Sequence, residues 1–256
     1  MSRRIFPWHA RPGLAGGIDK DGSRAAELLA HGFGSVEVGS VWPEHAASVA
    51  ATLAGGMASR GGAVGLGLGL PADLPEDSLT VAWLAGLAAL WPVADYLSFN
   101  LSAAANRRFL LPEHRCRLAR ACRAAVGQRD GRAAASGRYL PLALKLPLGG
   151  VGDPLPAAAE IAAAAGFDLL TVVLPEAAGR FARLAELAGQ LAGGPALVAV
   201  GGIRSAADVA AARAAGAAGV QVHRLFVEQG AACLDSLLCS PGGERSKAPC
   251  QPSTVR

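Results

Sequence analysis

The chain has 256 residues, 52% of them apolar and 17% charged, which is enough to build one large hydrophobic core. Its net charge of +4 comes from scattered arginines, and no basic block interleaves with aromatic residues, so no nucleic-acid partner is expected. The five cysteines form no C-x-x-C pair, which argues against a metal site or a disulfide framework and favours reduced thiols in a cytoplasmic protein.

Short apolar segments alternate with alanine-rich helical stretches along the whole chain, which is the pattern of β/α units on a parallel sheet buried on both faces. The predicted strands are Gly13 to Ile18, Ser35 to Ser40, Ala63 to Leu68, Ala94 to Leu101, Tyr139 to Leu146, Asp168 to Leu174, Ala196 to Val200 and Gly219 to His223. A helical pattern follows each strand except the second, where Trp42 to Arg60 is less regular. Gln128 to Arg138 is polar and glycine-rich and predicts a mobile loop.

Eight strands with eight connections favour a closed α/β architecture, the (β/α)8 TIM barrel, over a doubly wound sheet. We expect a single domain over residues 1–239 and a disordered tail over residues 240–256, which are rich in Pro, Gly, Ser and charge. In such a barrel, chemistry gathers at the carboxyl ends of the strands. The residues at those ends are therefore the candidates for function.

The loop after the first strand carries paired glycines and a lysine. Gly16 and Gly17 allow the backbone to approach a ligand closely, and Lys20 follows at the mouth of the strand. Lys20 is one of three lysines in a chain that otherwise uses arginine, which favours an anion-binding point charge over a solvated loop lysine.

Lys145 stands near the end of the fifth strand, where alternation of side chains would point it into the barrel mouth. A buried lysine needs a partner. An anionic flavin ring or a phosphate would supply one, and an internal pair with Glu37 or Asp19 is the alternative.

Two further strand ends carry polar groups. The turn Gly201-Gly202 precedes an alanine-rich helix, and barrels bind phosphate at such a turn after strand seven. His223 and Arg224 would complete a phosphate cup, although a lone histidine is more often structural. Asn100 can donate and accept hydrogen bonds, so it would suit a heterocyclic amide or brace its own loop.

Several segments together resemble the FMN-dependent dihydroorotate dehydrogenases of the quinone class, and residues Trp42 to Val93 match poorly. The matching segments are Gly13 to Gly22, His31 to Val41, Phe99 to Ser102, Leu142 to Lys145, Val200 to Ile203 and Gly216 to Val222. The resemblance implies pyrimidine biosynthesis, a hydride passed from dihydroorotate or another flat anionic heterocycle to FMN, and a side-chain base that removes a proton.

The resemblance also implies residue roles. Lys20 matches the lysine that meets the substrate carboxylate, and Asn100 lies at a substrate-binding position. The positions implied to hold FMN are Gly16, Gly17, Ser40 (where the family has Thr), Asn100, Lys145, Gly201, Gly202, His223 and Arg224. The first strand begins by Gly13, so we expect neither the family's membrane-associating extension nor a membrane partner; a homodimer stays open.

The catalytic loop departs from the family pattern Asn-x-Ser-Ser-Pro-Asn-Thr. Ala103 stands where the basic serine belongs, and Ala105 where a substrate-binding asparagine belongs. Loss of a general base costs about 10² to 10⁴ in rate. Ser102 is the nearby substitute, but strand geometry would aim its side chain to the other face.

Three hypotheses follow from the sequence. The first is an FMN oxidoreductase that acts on dihydroorotate or an analogous anionic heterocycle. The second is a non-catalytic barrel that binds a phosphate ligand or a partner protein. The third is a flavin-free aldolase or isomerase in which Lys145 forms a Schiff base in an apolar pocket.

Overall fold

The computed structural model describes residues 6–55 and 61–239 and contains eight parallel strands that close into one barrel in chain order. Its strands are β1 (Gly13–Asp19), β2 (Ser35–Val41), β3 (Ala63–Leu68), β4 (Tyr96–Asn100), β5 (Leu142–Pro147), β6 (Leu169–Val173), β7 (Ala196–Val200) and β8 (Ala217–Val222). The barrel closes where Gly13 of β1 pairs with Gln221 of β8. The predicted (β/α)8 TIM barrel is confirmed.

Helices cover the outside of the barrel because their alanines and leucines face the buried outer surface of the strands. They are α1 (Ala25–Ala30), α2 (Ala46–Ala54), α3 (Leu79–Leu90), α4 (Arg115–Ser136), α5 (Ala157–Ala165), α6 (Arg180–Gln190), α7 (Ala206–Ala214), α8 (Arg224–Gln229) and α9 (Cys233–Leu238). Short 3-10 turns span Pro7–Ala10, Pro43–His45, Glu76–Ser78, Ala104–Leu110, Pro112–His114 and Gly230–Ala232.

The prediction of a mobile loop over Gln128 to Arg138 is wrong, because α4 runs through most of this segment and ends at Ser136. Alanine and arginine are good helix formers, and their propensity outweighs the roughly 1 kcal/mol that a helical glycine costs. Arg129 also anchors the segment, since its buried guanidinium donates to Asp168 at 2.7 Å. The chain leaves the helix at Gly137, whose φ of 70° is left-handed.

The second strand is followed by a helix, contrary to the prediction. Ala46, Val49 and Leu53 of α2 are buried, and their spacing of three and four residues places them on one helical face. The helix has 9 residues, and a proline-led turn separates it from β2, so its periodicity is weak in the sequence. Residues 56–60 lie outside the described part of the chain, as does the predicted tail over residues 240–256.

The amino-terminal end of the barrel is closed by the turn Pro7–Ala10. The Trp8 ring stacks on Tyr96 of β4 with a centroid distance of 5.9 Å and an interplanar angle of 13°. His9 packs under β8, where a Cβ at Gly219 would lie 2.9 Å from the His9 ring. Burial, with a smaller contribution from the charge of Arg213, lowers the pKa of His9 to about 4.

Candidate active site

A cavity of about 600 Å³ opens at the carboxyl ends of β6, β7 and β8. Its volume is within the range of small-molecule binding sites. Four residues predicted from the sequence line it, namely Gly201, Gly202, His223 and Arg224. The turn after β6 supplies much of the remaining wall through Glu176, Ala177, Ala178 and Arg180.

The turn after β7 is held by the start of α7. Gly201 and Gly202 have φ angles of 96° and 66°, which only glycine adopts without strain. The Ser205 hydroxyl accepts a hydrogen bond from the Asp208 amide at 3.2 Å, while the Asp208 carboxylate accepts one from the Arg204 amide at 3.0 Å. This capping arrangement fixes the turn and uses part of the hydrogen-bonding capacity of the helix start.

Three arginines surround the cavity, and each is paired with a carboxylate. Arg180 donates to Asp208 at 2.7 Å, Arg224 pairs with Glu176 at 2.6 Å, and Arg204 pairs with Glu228. The Nε atom of Arg180 is buried and has no hydrogen-bond partner within residues 6–55 and 61–239. Sequence reasoning missed Arg180, because it begins a helix after β6 and belongs to no motif.

His223 lies at the end of β8 with its ring against the first strand. A Cβ at Gly17 would lie 3.1 Å from His223 Nε2, so glycine permits this close approach. Partial burial, and then the charges of Lys145 and Arg224, lower the pKa of His223. The imidazole is therefore neutral at pH 7.

Lys145 is buried in an internal ion pair, which was the alternative to a ligand contact. Its ammonium donates to Glu37 at 3.0 Å, and Glu37 is 1% exposed. Asp19, the other partner considered, instead accepts hydrogen bonds from the amides of Gly22 and Arg24 and so braces the loop after β1. Burial raises the pKa of the Asp19 carboxyl.

Asn100 braces its own loop at the end of β4. Its Nδ2 donates to the Ser40 hydroxyl at 3.0 Å, and its Oδ1 accepts from the Ser102 hydroxyl at 2.7 Å and from the Ser102 amide at 3.0 Å. The Asn106 side chain donates to the Asn100 carbonyl at 3.0 Å. Ala103, next to Ser102, has no group that accepts a proton.

The sequence-predicted residues thus fall into two groups at the barrel mouth. Gly201, Gly202, His223 and Arg224 line the cavity, and Gly17 adjoins it through His223. Asn100 and Lys145 are register partners on β4 and β5, and Ser40 joins them through Asn100. Gly16 lies on β1 with its Cα beside Glu37, whereas Lys20 is exposed in the loop beyond β1.

The closed (β/α)8 barrel, with a cavity at the carboxyl ends of its strands, belongs to the class of TIM barrels, whose candidate sites lie at that end. Comparison with known proteins narrows this class. The dihydroorotate dehydrogenase (quinone) of Stenotrophomonas maltophilia (strain K279a) is 30% identical over an alignment of 278 residues, which covers 86% of this chain and 77% of that protein. The chain therefore belongs to the dihydroorotate dehydrogenase (quinone) family.

A second relative is similar in sequence, and a solved structure shares the fold. The dihydroorotate dehydrogenase (quinone) of Bordetella parapertussis is 28% identical, with 86% of this chain and 78% of that protein covered. Ligand-free DHODH from Eimeria tenella shares the fold with a TM-score of 0.74 at 19% identity, over 91% of this chain and 86% of that structure. No protein-family model matches the chain. No helix within the described ranges is long and apolar enough to cross a membrane.

Proposed function

We propose that the protein is an oxidoreductase of the dihydroorotate dehydrogenase type that uses FMN and acts on a flat anionic heterocycle. The observation that carries the proposal is the cavity at the ends of β6, β7 and β8, where a glycine turn and cationic side chains meet in a member of this family. Such a site suits a phosphate ester, because backbone amides and cations stabilise its charge.

The residues at the mouth fit a flavin mononucleotide. Arg180 and Arg224 line the cavity, and guanidinium groups are donors that suit a phosphate. The backbone of Gly201 and Gly202 forms part of the cavity wall, where its amides could approach the phosphate. The phosphate would be held by Gly201, Gly202, His223 and Arg224, and the ring by Asn100 and Lys145, with Gly16, Gly17 and Ser40 beside it.

FMN would accept a hydride from the substrate. The chain's own residues would bind and orient the two reactants, with Lys20 and Asn100 on the substrate side. Lys145 and Asn100 are adjacent in register, so they would face the same part of the bound ring system. This arrangement supplies orientation and electrostatic stabilisation, which are the main contributions of a protein to flavin chemistry.

The chain lacks a strong base at the expected place. Ala103 cannot accept a proton, and the Ser102 hydroxyl donates its own proton to Asn100. Ser102 is the remaining candidate base in this loop, and it would first have to break that hydrogen bond. We therefore propose that dihydroorotate is a slow substrate and that a more acidic heterocycle, which loses its proton without strong general-base assistance, is the better one.

The aldolase or isomerase hypothesis receives less support from the site. A Schiff-base lysine needs an apolar pocket or neighbouring cations to favour its neutral amine. Lys145 instead contacts the Glu37 carboxylate at 3.0 Å, so its immediate surroundings are neither apolar nor cationic. If flavin does not bind in the test below, the non-catalytic barrel becomes the favoured hypothesis.

The proposal is tested by the visible absorption spectrum of the purified protein and by titration with FMN and riboflavin. We expect FMN to bind more tightly than riboflavin, because only FMN carries the phosphate. Arg224→Gln should weaken FMN binding and leave riboflavin binding unchanged. Arg117→Gln, which removes an arginine on α4 that pairs with Asp77, is the matched control. A protein that binds neither compound would overturn the proposal.

Substrate class is tested by anaerobic addition of dihydroorotate and of other dihydro-heterocyclic acids to the FMN-loaded protein. Bleaching of the flavin absorption identifies a reductant. Failure of every anionic heterocycle to bleach a firmly bound flavin would contradict the proposed substrate class while leaving the cofactor assignment standing.

A further inference from the structure

A group of polar side chains lies inside the barrel beneath Lys145. Glu37 of β2 is 1% exposed, and Tyr96 of β4 and Gln221 of β8 are each 3% exposed. Barrels of this kind usually fill their interior with branched apolar side chains. The presence of a carboxylate, a phenol and a carboxamide at such a place therefore calls for a functional explanation.

Hydrogen bonds connect these side chains to Lys145. Lys145 Nζ donates to Glu37 Oε1 at 3.0 Å, and Gln221 Nε2 donates to the Tyr96 hydroxyl at 3.0 Å. Longer contacts of 3.5 Å and 3.4 Å join Glu37 Oε2 to the Tyr96 hydroxyl and to Gln221 Nε2. Burial, and then the charge of Glu37, raise the pKa of Tyr96, so the phenol keeps its proton and can donate it to the carboxylate.

Glycines on β1 and β3 provide the space for this group. A Cβ at Gly65 would lie 2.0 Å from the Tyr96 ring. A Cβ at Gly16 or Gly67 would lie 3.0 Å or 3.2 Å from Glu37 Oε1. Gly65 and Gly67 of β3 thus make room for a buried phenol and a buried acid.

A buried ion pair of this kind is a weak source of stability, because the two charges lose their hydration and regain only part of it from each other. Apolar side chains of similar volume would often serve folding as well or better. The arrangement is better explained by what it does to Lys145, the buried cation that it holds. Glu37 fixes the place of the ammonium and offsets its charge.

We propose that Glu37 is a positioning residue that holds the Lys145 ammonium beneath the flavin ring and moderates its electrostatic field, with Tyr96 and Gln221 supporting the carboxylate from below. The inference rests on the proposed function for its effect on FMN, whereas the placement of Lys145 by Glu37 does not depend on the cofactor.

The first test uses the FMN-loaded protein and measures the reduction potential of the flavin. A positive charge near the ring favours the negatively charged reduced form. Glu37→Gln keeps the volume but removes the opposing charge, so the potential should become more positive. Lys145→Gln should make it more negative, and the double variant should return toward the wild-type value. An unchanged or more negative potential in Glu37→Gln would overturn the proposal.

Tyr96→Phe provides a second variant if Glu37→Gln does not fold. It removes one donor to the carboxylate, whose negative charge is then less offset, so the potential should become more negative by a smaller amount than in Lys145→Gln. A shift in the opposite direction, or none, would contradict the supporting role of the phenol.

The second test uses protein without FMN and follows acetylation of individual lysines by peptide mass spectrometry. The charge-assisted hydrogen bond to Glu37 should protect Lys145 in the wild type. Its loss in Glu37→Gln should raise the labelling rate of Lys145 about tenfold above that of the wild type. Lys20, which is exposed, is the control in the same molecule and should label equally in both proteins. Equal labelling of Lys145 in both proteins would overturn its placement by Glu37. If the protein does not bind FMN but Lys145 labels faster in Glu37→Gln, the proposed function is overturned and the placement of Lys145 by Glu37 stands.

Discussion

Arg224 and Glu176 pair at 2.6 Å across the mouth of the cavity, joining the start of α8 to the turn after β6. Both side chains are more than half exposed, so the pair itself is weak, at about 0 to 1 kcal/mol. The Glu176 carboxylate competes with a ligand phosphate for the same guanidinium. Glu176→Gln should therefore tighten FMN binding by up to about fivefold, measured by quenching of FMN fluorescence.

The control for this variant is Glu186→Gln, since Glu186 pairs with Arg183 on α6 and neither residue lines the cavity. Its FMN affinity should equal that of the wild type. Weaker FMN binding in Glu176→Gln would show that the carboxylate orders Arg224 for the ligand instead of competing with it.

Restoring a hydroxyl at position 103 tests whether the missing serine base limits the rate of flavin reduction. Ala103→Ser places the expected base next to Ser102, and its side chain is exposed at the barrel mouth, where an added oxygen can be accommodated. We expect flavin reduction by dihydroorotate to be faster by a factor of about 10² to 10⁴. The rate of reduction is measured by stopped-flow absorbance. Ala104→Ser, one residue further, should have little effect. Equal rates in wild type and Ala103→Ser would indicate that proton removal does not limit the reaction.

His223 makes anion binding dependent on pH. Its pKa is lowered in the free protein, so the ring is neutral at pH 7, and a nearby phosphate would raise that pKa. FMN binding should then be accompanied by proton uptake, measured by calorimetry in buffers of different ionisation enthalpy. His223→Gln should bind with less proton uptake. The same uptake in both proteins would place the phosphate away from His223.

His9 makes the folded state sensitive to acid. Its pKa is about 4 in the folded protein and near 6.5 when unfolded, so the unfolded chain binds the extra proton between these values. The free energy of unfolding should be greatest above pH 6.5 and fall by on the order of 2 kcal/mol as the pH decreases to 4. Urea denaturation across this range measures the effect.

In His9→Gln, the part of the pH dependence that comes from His9 should disappear. His31→Gln, on the exposed end of α1, should keep the wild-type profile. An unchanged profile in His9→Gln would assign the acid sensitivity to other groups.

Most of the fold could be predicted from the sequence, because the strands of a parallel barrel are buried on both faces and therefore form short apolar runs. β3 and β7 have the predicted bounds, and the other strands differ by one to three residues at their ends. The helix over Gln128 to Ser136 was missed because its anchor, the pair between Arg129 and Asp168, joins residues 39 positions apart. No local pattern contains that contact.

The candidate site was predictable only in part. Glycine turns at strand ends have a local signature, so Gly201, Gly202 and His223 could be named in advance. The partners of those residues could not be chosen, since they come from other strands. Lys145 could be placed in the barrel, but Glu37 and Asp19 were equally possible partners until the closed barrel brought Glu37 within 3.0 Å. Arg180 was not predictable, because its relation to Gly202 depends on the path of the turn after β6.

The contact of the turn Pro7–Ala10 with β8 affects how the protein matures on the ribosome. During translation His9 precedes Arg213 by 204 residues, and Arg213 and Gly219 form the surface that covers His9. The turn Pro7–Ala10 can therefore make its contact with β8 only after β8 has been translated. A chain that ends before β8 would leave His9 without this cover.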